Sequence, residues 1–135
     1  MGILGDKTEK INLFPQSPNE KIFYFKNQKT TVRIDDHFIR ISRGGSFSNL
    51  ILQGLDGEKT ILLSELTAYQ LKSPGMTVGY FQFIYPGSQD TKKGAFEAVK
   101  DENTVTFLNK DLGQALALKK YIEEIMIMKS ISNTK

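Results

Sequence analysis

Apolar and polar positions follow a strand-like pattern in successive short runs between about residues 21 and 108, and a helical one after that. IFYFK (22–26) is an aromatic run of strand composition, and TTVRI (30–34) alternates Val32 and Ile34 with polar neighbours, as a strand half buried on one face does. Asp35 and Asp36 supply turn chemistry, because short carboxylates tolerate left-handed backbone and accept from nearby N–H groups. FIRISR (38–43) returns and completes a hairpin. LILQGLDG (50–57) is a short apolar segment, and EKTILL (58–63) resumes the strand character. SELTAYQLK (64–72) continues it past an expected bulge, since Leu66 and Ala68 fall in one phase and Tyr69 and Leu71 in the other. Ser73, Pro74 and Gly75 read as a turn with glycine supplying positive φ. GYFQFIY (79–85) sets Phe81, Phe83 and Tyr85 on one face and Tyr80 and Ile84 on the other, so both faces should be covered. The polar stretch 86–103 holds an apolar island at Ala95, Phe96, Ala98 and Val99, and TVTFL (104–108) ends the strand series.

From Leu112 the spacing predicts one amphipathic helix: Leu112, Ala115, Leu118, Ile122 and Ile125 recur at threes and fours, with Leu116 and Met126 widening the stripe. Asp111 and Gln114 are placed to cap its start. Seven strands and a C-terminal helix define an α+β fold, a strongly bent antiparallel sheet forming a partly open barrel that the helix seals. The helical stripe contributes on the order of 10 kcal/mol gross at about 1.5–3 kcal/mol per buried side chain. The expected organisation is an N-terminal arm at 1–20, docking through Ile11, Leu13 and Phe14, one domain at 21–130 and a short tail at 131–135.

Composition removes several classes of function. No cysteine is present, which excludes disulfides, thiolate nucleophiles and cysteine-ligated zinc. The net charge of +3 from 18 basic and 15 acidic residues gives no argument for nucleic acid. Nothing approaches the roughly 18 apolar residues of a membrane span, and the start lacks the pattern of a secretory leader, so a cytoplasmic location is expected. Met1 and Gly2 begin like a myristoylation signal, but Asp6 stands where that signal needs Ser or Thr.

MGILG, GEKTILLSELTAYQLKSPGMTVGYFQF and KDENTVTFLNK, followed by the helix, resemble a bacterial pleckstrin-homology-like (PH-like) family. Its members are small uncharacterised proteins of bacteria and their prophages, many with a short C-terminal oligomerisation tail. The resemblance spans about residues 21–128 and implies a seven-stranded, partly open barrel capped by the helix. It implies no catalytic residues and no cofactor. With SISNTK as its last residues, the chain is not expected to use the tail-driven assembly of longer members.

Three groups of residues are candidates for function. Asp35, Asp36 and His37 carry metal-ligand atoms, but neighbouring strand residues point to opposite faces, so they read as a hairpin turn with an exposed histidine. Lys26, Lys29, Arg33, Arg40 and Arg43 read as charges of a solvated strand face. The alternative is a binding face for anionic ligands or lipid headgroups, because Lys26, Lys29 and Arg33 stand in places loosely similar to the basic positions of phosphoinositide-binding PH domains. Met126, Met128 and Ile131, with Ile127, surround the helix end more fully than one core stripe requires and suggest a partner surface. One histidine, no GxSxG elbow and no phosphate-cradling loop leave catalysis without familiar machinery. The leading expectation is a non-catalytic PH-like module acting through a protein partner, a second copy of itself included as a homodimer. Membrane association and nucleic-acid binding are not expected.

Overall fold

A computed structural model describes residues 17–44, 58–88 and 103–133. The apolar segment at 50–57, the island at 95–99 and the arm residues Ile11, Leu13 and Phe14 lie outside the described residues. Among the described residues there are seven antiparallel strands: β1 Lys21–Phe25, β2 Thr30–Ile34, β3 Phe38–Arg43, β4 Glu58–Leu62, β5 Ala68–Lys72, β6 Gly79–Ile84 and β7 Thr104–Phe107. One long helix, α1, spans Leu112–Asn133. The strands divide into two sheets, ordered β1-β2-β3-β4 and β5-β6-β7, and do not close into a barrel. The fold is thus α+β with seven strands and a C-terminal helix, as the periodicity implies.

The division falls at a place where the sequence suggests a bulge. Leu63–Glu65 forms a 3₁₀ turn instead, which ends β4 in one sheet and lets the chain begin β5 in the other. Leu63 and Leu66 are buried at the two ends of this crossing, while Ser64 and Glu65 face water.

Period-2 alternation explains the core. Val32 and Ile34 of β2 meet Ile41 and Ile39 of β3 in register, and all four are buried with Phe23 and Phe25 of β1 and Ile61 of β4. From the second sheet come Phe81, Phe83, Val105 and Phe107. The Phe25 and Phe107 rings lie 6.0 Å apart and join the sheets. Ala115, Leu118 and Ile122 of α1 are fully buried in the same core, with Leu112, Ile125 and Met126 packed at its margin. Leu116 departs from the expected stripe and is 50% exposed, because it sits one position beyond Ala115 and turns away from the sheets.

Two turns differ from their expected chemistry. Gly75 lacks positive φ, which among the described glycines belongs to Gly44 and Gly87. The glycine that the β5–β6 connection requires is Gly79, where a Cβ would stand 2.4 Å from the Lys72 carbonyl oxygen. Asp111 is half of a long-range tie rather than a simple helix cap: its Oδ2 accepts from the Asn27 N–H at 3.0 Å, fastening the β1–β2 turn to the start of α1. The helix also runs through residues 131–133, which the sequence suggests as tail.

Candidate functional site

The basic hairpin assembles differently from a solvated face. Arg33 and Arg40 are direct cross-strand partners on β2 and β3, and like charges so placed repel. Carboxylates from three parts of the chain hold them. Arg33 Nη2 donates to Glu58 Oε2 at 3.0 Å, and its Nε lies 3.6 Å from Glu20 Oε2. Arg40 Nη1 donates to Asp35 Oδ2 at 2.8 Å and its Nε lies 3.9 Å from Glu58 Oε1. Arg33 is only 1% exposed, so the expectation of a solvated strand face fails at its centre. The physical reason is the surrounding acid, which makes burial of a guanidinium tolerable by pairing it.

Asp35 organises the adjoining turn. Its Oδ1 accepts from the N–H groups of His37 and Phe38 at 2.8 and 2.7 Å, and its Oδ2 also accepts from Ser17 Oγ at 2.6 Å. Burial alone would favour the neutral acid, but these hydrogen bonds and Arg40 outweigh it and hold the carboxyl well below the usual aspartate range. Glu20 goes the other way: burial pushes its carboxyl up despite the opposing charges of Arg33 and Arg40. His37 is exposed beside this turn, and among the described residues no three histidine or carboxylate side chains group as a metal site.

The other cations are dispersed. Lys26 and Lys29 are exposed at the β1–β2 turn, where Lys29 adopts left-handed backbone at φ 51°. Arg43, at the far end of β3, donates through Nη2 to the Thr104 carbonyl oxygen and so bridges the two sheets. The five basic residues singled out by sequence therefore do not form one patch.

The helix end is the second site. Lys129 reaches back to the inter-sheet crossing, its Nζ donating to the carbonyl oxygens of Leu63, Ser64 and Leu66 at 3.3, 3.0 and 3.0 Å. Tyr69 of β5 donates its hydroxyl to Glu123 Oε2, and burial with this carboxylate pushes the phenol up to about 12. The two ties fix α1 against the crossing and against β5. Beyond them, Ile127, Met128 and Ile131 are 58%, 67% and 60% exposed, whereas Met126 turns inward to the core. Of the three residues suggested as a partner surface, Met128 and Ile131 are thus outward and Met126 is not. Beside Met128 an open groove of about 640 Å³ runs between α1 and the crossing, lined by Leu63, Tyr121, Ile125 and Met128 with Asp36 and Glu124 at its polar margin. Lys129 carries no motif that would have marked it: its partners lie more than sixty residues away in sequence.

Two antiparallel sheets and one long helix share a single core, and the polar side chains around it are engaged in internal ties. Residues 32–123 match the family described as a domain of unknown function, DUF4429, and the chain belongs to that family. No curated protein and no solved structure matches it. Among the described residues no helix is long and apolar enough to cross a membrane.

Proposed function

We propose that this chain is a non-catalytic, PH-like protein-interaction module of bacterial or phage origin that acts in the cytoplasm through self-association or a protein partner. The observation that carries this reading is the exposure of Ile127, Met128 and Ile131 on a helix that Lys129 fixes in place. An apolar patch on a rigid support is what a partner can bury at little cost in ordering. The PH-like part rests on the sequence resemblance, with the seven antiparallel strands and terminal helix in agreement. Against the alternative, an anion or lipid-headgroup face, stands the pairing of Arg33 and Arg40 with Glu20, Asp35 and Glu58.

Light scattering of the full chain over a low to high micromolar series, run beside co-sedimentation with anionic vesicles at low and high salt, tests the reading. A mass that doubles with concentration and no vesicle-bound fraction is the expected result. Salt-sensitive vesicle binding that is lost when the exposed Lys26 and Lys29 are replaced by alanine, with the fold intact, would overturn it in favour of the anionic ligand.

A further inference from the structure

The face of α1 turned away from the core has an order along its length that suits a second copy of itself. At about 100° per residue, Gly113, Lys120, Glu124 and Ile131 fall near one line opposite Ala115, Leu118 and Ile122. All four are exposed, and a Cβ added at Gly113 would meet nothing within 4 Å. Leu116 and Ile127 flank this line on one side, Ala117 and Met128 on the other. Gly113 and Ala117 therefore leave space beside Leu116 in the first half of the face, two opposite charges occupy its middle and bulky apolar side chains its last half.

We infer that the outer face of α1 pairs antiparallel with the same face of a second copy, about a two-fold axis at the level of Ile122. This rests on the self-association reading above and gives it a geometry. An isologous contact places each residue against the one equally far beyond the axis and on the same side of the face. Gly113 then receives Ile131 of the second copy, Ala117 receives Met128, and Leu116 packs on Ile127. Lys120 meets Glu124 of the second copy, twice over by symmetry. A parallel pair would set Lys120 against Lys120, Glu124 against Glu124 and the bulky ends against each other. Charge complementarity and the match of small to large both select the antiparallel copy, and a partner without this pattern would satisfy neither.

The test is a charge exchange in the full chain, read by sedimentation velocity at low salt. Lys120→Glu alone and Glu124→Lys alone each set like charges face to face and should weaken the dimer about tenfold or more. The combined Lys120→Glu and Glu124→Lys variant restores opposite pairs and should return to the wild-type dissociation constant. Because the chain has no cysteine, Ala117→Cys with Met128→Cys should also give a disulfide-linked dimer on mild oxidation, and Ala117→Cys alone should not. If both single charge variants dimerise as wild type does, the chain self-associates through another surface and this pairing is wrong. If wild type stays monomeric and the double-cysteine variant forms no covalent dimer, the self-association reading fails with it.

Discussion

Arg33 and Arg40 face one another across β2 and β3, and Glu58 of β4 lies within reach of both, 3.0 Å from Arg33 Nη2 and 3.9 Å from Arg40 Nε. The acid converts a repulsive pair into a three-strand brace. Arg33→Met removes the buried cation and leaves Glu20 and Glu58 without it, so chemical denaturation should show a loss of about 3–5 kcal/mol. Adding Glu58→Gln should cost less than the two single losses summed, because the residues act as one unit. Strictly additive losses would show that the brace does not exist.

The same cluster sets a pH dependence with two opposing signs. Asp35 has its pKa depressed in the fold, so its contribution is present above its ordinary value of 3.8 and is lost as pH falls through the depressed folded value. Asp35→Asn should flatten the acid limb of the stability curve. Glu20 has its pKa raised from 4.5, so its contribution is present below that value and is lost as pH rises through the folded one. Glu20→Gln should accordingly compare better with wild type at neutral pH than at acid pH. Urea midpoints measured across the acid range check both, and a Glu20→Gln effect independent of pH would contradict the second.

Lys129 caps three carbonyl groups at the point where the chain passes between sheets. Lys129→Met keeps the aliphatic stem but removes the donors, and should destabilise the protein by about 1–3 kcal/mol. Hydrogen exchange should rise first around Leu63–Leu66. An unchanged exchange pattern there would mean the lysine is dispensable to the crossing.

Ile122 is fully buried in the core that α1 shares with the strands. Ile122→Ala should cost about 2–5 kcal/mol, and Ile122→Asp should abolish the cooperative thermal transition, because it places an unpaired charge in the core. Normal melting of Ile122→Asp would remove the helix from its structural role.

Alternation makes most of the fold legible in the sequence: TTVRI and FIRISR become β2 and β3 with their expected bounds, and the helical spacing of Ala115, Leu118 and Ile122 marks the buried side of α1. Alternation assigns a side chain to a face but not what covers that face, which is why Arg33 reads as solvated and is buried. The break at Leu63–Glu65 is also hidden, since a bulge and a 3₁₀ turn shift phase alike. The helix end is partly legible: too many apolar residues for one stripe mark an exposed patch, but only packing shows that Met126 turns inward while Met128 and Ile131 remain outside.

The central claim is that the exposed end of α1 carries the contact with a partner chain. Sedimentation equilibrium of wild type and of Met128→Lys with Ile131→Lys, each checked for the same melting temperature, tests it most directly. Wild type should fit a monomer–dimer equilibrium at micromolar concentration, and the double variant should remain monomeric with its fold unchanged. Identical mass distributions for the two, whether both dimeric or both monomeric, would contradict the assignment of this surface to self-association.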